Sequence, residues 1–195
     1  MTSRVNNGHV VSYDDESLVL VDSDDREIGF CSKADVHKGD GLLHRAFSLF
    51  VFNSAGDLII QKRAVNKQLW PGFWSNTCCS HPRRGESMEI ATQRRLKEEI
   101  GIQAPLSFLF KFQYQARFGD IGAESELCWV YVGYSDEVPN FNSSEVSEIR
   151  YLSPERLDNE MSDNPDIFTP WFKMEWQRIR RDHSDVMENR GQNDY

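Results

Sequence analysis

The stretch that decides the fold is Gly85-Glu86, seven further residues, then Arg94-Arg95-Leu96-Lys97-Glu98-Glu99-Ile100-Gly101-Ile102. Met88, Thr92, Leu96 and Ile100 recur at four-residue steps, so they mark one face of a helix over 87–100. Ser87 is placed to cap it, Glu89 stands in its first turn, and Gly101 suits a left-handed stop. The charges on this helix have an ordinary reading as exposed pairs four apart, Arg94 with Glu98 and Arg95 with Glu99.

Working outward, Ala46-Phe-Ser-Leu-Phe-Val-Phe52 is β-branched and aromatic enough for a buried strand, and 58–63 returns from the turn at Asn53-Ser-Ala-Gly-Asp57. An earlier hairpin is predicted from 17–22 and 26–31, and two later strands over 108–115 and 123–134. Pro71 and Gly72 exclude a regular helix from the irregular 67–81. A short helix is expected near 154–157. A last one opens at Thr169-Pro170 and buries Phe172, Trp176 and Ile179. This pattern predicts one α/β domain over 17–183, with a loose polar segment over 1–16 and a disordered tail over 184–195.

Composition narrows the functional classes. The 195 residues carry 22 Lys and Arg against 31 Asp and Glu, a net charge of −9. That balance disfavours sequence-independent nucleic-acid binding, which needs a broad basic surface. No apolar run reaches the ~18 residues of a membrane span, and the first residues lack the pattern of a secretory signal, so no membrane insertion is expected. The four cysteines, Cys31, Cys78, Cys79 and Cys128, are expected to be reduced thiols in the cytoplasm.

Several side chains point to chemistry. His37 and His44 flank a Gly39-Asp-Gly41 turn, and Cys79 and His81 stand two apart, on one side if the backbone is extended. Glu124 and Glu126 share one face of a predicted strand, where like charges repel unless a cation lies between them. Three imidazoles and two carboxylates would suit Zn²⁺ or Mn²⁺.

The opening stretch resembles the Nudix box, a loop–helix–loop element whose glutamates hold divalent cations against diphosphate. Two positions depart from it: Ser80 where the box begins with Gly, and Arg95 where hydrolases carry a metal-binding Glu. Lys33, His37 and His44, then Arg63, Lys67, Trp70-Pro-Gly and Trp74, then Cys79-Ser-His81-Pro82 and Glu124-Ser-Glu126 are together similar to type I isopentenyl-diphosphate isomerases. The resemblance runs over roughly 22–181.

It implies a Nudix fold, a mixed β-sheet core sandwiched between helices with an N-terminal strand extension. It also implies interconversion of isopentenyl and dimethylallyl diphosphate, with Cys79 and Glu126 transferring protons and Tyr114 assisting. His37, His44, His81, Glu124 and Glu126 match the family's tightly held divalent metal, Mn or Zn with Mg also compatible. Glu99, with a backbone oxygen of Cys79, matches the Mg²⁺ site that accompanies the diphosphate. Lys33, Arg63, Lys67 and Arg95 match the diphosphate cations, and Trp171 the aromatic that faces the carbocation. Trp70 and Trp74 are read as structural. The alternative is a Nudix hydrolase of another diphosphate compound, which Arg95 opposes. A catalytically silent metal- or ligand-binding protein is a third reading. Monomer and homodimer are both compatible with the sequence.

Overall fold

A computed structural model describes residues 4–6 and 8–187 of the chain. Its strands are β1 (Arg4–Asn6), β2 (Ser17–Val21), β3 (Glu27–Ser32), β4 (His44–Phe52), β5 (Leu58–Arg63), β6 (Trp74–Ser75) and β7 (Cys78–Ser80), followed by β8 (Leu106–Phe118), β9 (Gly122–Tyr134), β10 (Asn140–Asn142) and β11 (Val146–Leu152). The α-helices are α1 (Lys33–Val36), α2 (Met88–Arg95), α3 (Pro154–Asp163) and α4 (Pro170–Asp182).

The run predicted to be buried, 46–52, lies within β4 at the centre of the large mixed sheet, with Phe47 to Val51 all but inaccessible. The path β11-β5-β4-β2-β3 is extended by β9, parallel to β4, and by β8, antiparallel to β9. On one face, α4 lays Phe172, Trp176 and Ile179 onto Phe50, with ring centroids 5.9 Å from Phe172 and 6.5 Å from Trp176. On the other, Ala91, Leu96 and Ile100 pack on Phe47, Leu49 and Ile59. The sheet is therefore sandwiched between helices, with the β2–β3 hairpin as the N-terminal extension.

The stretch 87–100 is helical but not uniform. Ser87 caps α2 by accepting from the Ile90 amide at 3.3 Å. The last turn widens to a π-helix over Leu96–Ile100. The Gly101 amide closes it onto the Leu96 and Lys97 carbonyls, each at 3.1 Å. Gly101 has φ 74°, and a Cβ there would stand 2.3 Å from the Asn140 carbonyl oxygen, so only glycine fits.

Three features depart from expectation. The stretch 135–153, for which no element is predicted, holds β10 and β11; β11 is an edge strand whose exposed Glu148 and Arg150 side chains disguise its buried Val146 and Leu152. The segment expected to be loose up to residue 16 pairs β1 with β10, and its Val11 carbonyl accepts from Arg83 and Arg95. Finally, Ser184–Met187, placed in the expected disordered tail, forms a 3₁₀ turn that buries Val186, whose carbonyl accepts from the Tyr134 hydroxyl. The rest of that tail, 188–195, and residues 1–3 and 7 lie outside the described residues.

Candidate active site

Strand register assembles the chemistry. In the β4–β9 pair His44 stands opposite Glu126, in β8–β9 Tyr114 stands opposite Glu126, and in β4–β7 Ser48 stands opposite Cys79. His81 follows directly on β7, and His37 ends α1. The His37 carbonyl accepts from the Ala123 amide at 2.9 Å, fixing α1 beside Glu124. Gly122 permits this approach, since a Cβ there would meet that carbonyl at 2.5 Å. His37 stands 7 positions from His44 and 89 from Glu126 in the chain, and it is the sheet that brings them together.

The three imidazole centroids lie 4.8 to 5.6 Å apart. One ligand atom from each of His37, His44, His81 and Glu124 falls within 4.8 Å of all the others. Glu126 reaches the same group through Oε1, 3.0 Å from His81 Nε2 and 3.8 Å from His44 Nε2. His37 Nδ1 donates to the Lys33 carbonyl at 2.7 Å and His44 Nδ1 to the Leu42 carbonyl at 2.8 Å, so both rings turn Nε2 inward as a lone pair. His37 Nε2, His44 Nε2 and Glu124 Oε2 are buried without hydrogen-bond partners, although His37 Nε2 and Glu124 Oε2 are only 2.9 Å apart. Converging, unpartnered lone pairs fit a divalent cation, so this cluster can hold a metal.

Proton affinities register the same shortage of positive charge. Burial, and then the charge of Glu124, push Glu126 well above the ordinary carboxylate range. Burial alone would raise Glu124 too, but the adjacent His37 outweighs it and holds Glu124 at about 2. His44 is driven down to about 4 by burial and then by His37. Burial pushes the Cys79 thiol up to about 12, against the pull of Arg63. Tyr114 is likewise raised, by burial and then Glu126, and its hydroxyl donates to Glu126 Oε2 at 2.7 Å.

Cys79, Tyr114, Glu124 and Glu126, with His37 and His81, line a cavity of about 470 Å³, and His44 is enclosed behind them. Trp171, on the first turn of α4, closes one wall, edge-on to Trp70 at 5.1 Å and 6.2 Å from Tyr114. Its indole Nε1 donates to Ser75 Oγ at 3.1 Å, and Ser75 Oγ also lies 4.0 Å from Cys79 Sγ. Trp70 packs on Phe118 and Trp74 sits beneath Lys62 and Arg150, in keeping with structural roles for both.

The far end of the cavity is cationic. Arg63 donates to the Leu69 and Trp70 carbonyls, approaches Cys79 Sγ to 4.0 Å and stands 5.4 Å over Trp171. Lys67 pairs with Glu145 at 2.6 Å, and Lys33 bonds Ser12. Arg95 pairs with Glu99 and, at 3.2 Å, with Glu98, while Gln61 donates to the other Glu99 oxygen at 3.2 Å. Burial, followed by the charges of Lys67 and Arg95, lowers Lys33 to about 8. The sequence reading missed Glu145 and Ser75: Ser143-Ser-Glu145 carries no local motif and reads as a solvated turn.

A sheet sandwiched by helices, with a box helix ending at a cluster of acids and cations, defines the class. The NUDIX domain family model matches residues 42–172. The crystal structure of DR0079 from Deinococcus radiodurans is similar at TM-score 0.71 and 25% identity, covering 85% of this chain and all of that one. A MutT protein from Methanosarcina mazei Go1 shares the fold at TM-score 0.60 and 17% identity, over 71% of this chain and 94% of its own.

Sequence relatives narrow the class further. Isopentenyl-diphosphate Delta-isomerase 1 of Photorhabdus laumondii is 44% identical over 175 residues, covering 88% of this chain and 99% of the relative. The isopentenyl-diphosphate Delta-isomerase of Burkholderia multivorans is 46% identical over 158 residues, covering 81% and 89%. The chain belongs to the isopentenyl-diphosphate Delta-isomerase family of Nudix-fold isomerases. No described helix is long and apolar enough to cross a membrane.

Proposed function

We propose that the protein moves the double bond of isopentenyl diphosphate to give dimethylallyl diphosphate, with Cys79 and Glu126 as the proton-transfer pair. The observation that carries this reading is their joint presence in one cavity, with the His/Glu cluster on one side and the cationic end on the other. One group adds a proton to the terminal methylene, which leaves positive charge on the tertiary carbon. The other removes a proton from the methylene between that tertiary carbon and the carbon bearing the diphosphate oxygen, and the released C–H electron pair becomes the new double bond. Which group donates depends on the direction of reaction.

The residues around the pair have separate tasks. Tyr114 fixes one oxygen of Glu126 through its 2.7 Å hydrogen bond and, being held protonated, can pass a proton to it. Trp171 offers an aromatic face to the developing cation, which cannot capture it as water would. Lys33, Arg63, Lys67 and Arg95 bind the diphosphate, a remote handle that orients the hydrocarbon end. A divalent ion, Mn or Zn with Mg also compatible, would be held by His37, His44, His81, Glu124 and Glu126 and would supply the positive charge that keeps these carboxylates oriented and ionised. Glu99 and a backbone oxygen of Cys79 would hold the Mg²⁺ that accompanies the diphosphate. We also infer a cytoplasmic location, where Cys79 stays reduced.

The test is NMR of isopentenyl diphosphate with metal-loaded protein in D2O. Double-bond migration with deuterium incorporation is expected. Phosphate release without migration would turn the reading to a hydrolase, and neither would sink both.

A further inference from the structure

Within the cationic end of the cavity stands one acid that the isomerase reading does not use. Glu145 occupies the turn between β10 and β11 and is 5% exposed. Its Oε2 lies 2.6 Å from Lys67 Nζ and 3.5 Å from Arg95 Nη2, so one oxygen sits between two cations that come from different elements. A phosphate oxygen would make the same contacts. The backbone around it is fixed: the Glu145 amide donates to the Asn142 carbonyl at 3.0 Å, and its carbonyl accepts from Ala64 at 2.9 Å. Ala64 in turn accepts from Lys67 at 3.2 Å. Only the side chain, with its rotatable bonds, can leave this position.

We propose that Glu145 is a resident counter-anion of the diphosphate subsite, which the incoming diphosphate displaces from Lys67 and Arg95. The proposal rests on the diphosphate reading of this end of the cavity. Its physical basis is charge counting. Cations that must receive a diphosphate are held close together before it arrives, and a buried acid between them offsets their repulsion. The same acid then competes with the ligand, so it limits how tightly the handle is held and favours release of product. Glu99 differs from Glu145 in that its second oxygen is held by Gln61, which anchors it in place.

The experiment is binding of inorganic pyrophosphate with Mg²⁺, by calorimetry, to the metal-loaded protein and to Glu145→Gln. If Glu145 competes, the variant binds about tenfold more tightly, the size expected for removing one screened charge. Its KM for isopentenyl diphosphate falls, and kcat falls or holds as release slows. Adding Lys67→Ala then costs more affinity in the Glu145→Gln background than in the parent, because Lys67 is freed for the ligand. If Glu145 instead merely positions Lys67, the Gln variant binds pyrophosphate more weakly or equally and its KM does not fall; that result overturns the proposal. Glu145→Asp keeps the charge but draws it back from Lys67, and should show the same tightening in smaller degree if the Gln variant does not fold. Parent protein that fails to bind pyrophosphate at all would break the diphosphate reading itself, a distinct outcome.

Discussion

The two ends of the cavity solve opposite charge problems. At the reaction end, His37 Nε2, His44 Nε2 and Glu124 Oε2 converge without hydrogen-bond partners, so lone pairs outnumber positive charges. At the handle end the cations are already engaged: Lys67 by Glu145, Arg95 by Glu98 and Glu99, Arg63 by the Leu69 and Trp70 carbonyls. The first end is an array of strand and helix termini whose converging lone pairs fit a resident cation. The second is self-neutralised and, on the reading proposed above, exchanges these partners for a diphosphate. The difference predicts that substitutions at the first end act on turnover and metal retention, and those at the second on substrate affinity.

The largest expected effects test the reaction end. Cys79→Ala and Glu126→Gln should each lower kcat by about 10³-fold or more, since each removes one of the two proposed proton-transfer groups. Initial rates of allylic rearrangement by NMR measure this. A loss confined to KM in either variant would break the division between the two ends, and full activity in Cys79→Ala would remove Cys79 from the reaction. At the same end, His37→Ala should lose metal on elemental analysis, and unchanged metal content would strike that residue from the ligand set.

Acid should unmake the reaction end before the handle end. In metal-free protein His44 titrates at about 4, below the ~6.5 of an exposed imidazole, because burial and then His37 disfavour its charged form. A depressed proton affinity means the unfolded chain binds protons first. The associated stability is therefore complete above about pH 6.5 and is lost as pH falls toward 4, by about 3 kcal/mol at most. Glu124, held at about 2, loses its contribution in a lower window, from about 4.5 downward. Denaturant unfolding of metal-free protein at pH 7.5 and 4.5 measures the slope, and His44→Asn should reduce it, leaving the share of His81, which burial also drives well down. Equal slopes in the two proteins would show that His44 does not carry it.

The handle end calls for a smaller and different response. Lys67→Ala should raise KM about tenfold with little change in kcat, the signature of binding shared by ground and transition states. An equal fall in kcat would show that handle binding is used in the transition state and that the ends are coupled.

Much of this was legible in the chain, for identifiable reasons. The box helix, the β4 and β5 runs and the α4 stripe have clear periodicity, because each presents one apolar face to one core. The reaction-end residues could be named through the family resemblance; the two-residue steps of Cys79 with His81, and of Glu124 with Glu126, add only a shared side of an extended strand. Local spacing alone does not bring them to His44, because that convergence depends on β4 pairing in parallel with β9 across some eighty residues of intervening chain. Glu145 was hidden for a different reason: its significance lies wholly in Lys67 and Arg95, which reach it from two other elements. The π-helical end of the box helix was likewise invisible, as nothing in Leu96-Lys-Glu-Glu-Ile100 distinguishes it from an α-helical turn.

The smallest predicted effect sharpens the division within a single pair of residues. Cys78 and Cys79 are adjacent on β7, so they point to opposite faces of the sheet. Cys79 faces the cavity and packs against the core beneath α4, whereas Cys78 is enclosed on the other side with Phe47, Leu49 and Leu96. Cys78→Ala removes a buried sulfur and should cost about 1 kcal/mol of stability. It should leave kcat and KM within about twofold, because Glu99 on that side remains held by Arg95 and Gln61. Urea unfolding and steady-state kinetics on the same preparation separate the two readouts. A kcat loss approaching that of Cys79→Ala, with stability intact, would mean that the face of the sheet does not decide which thiol reacts.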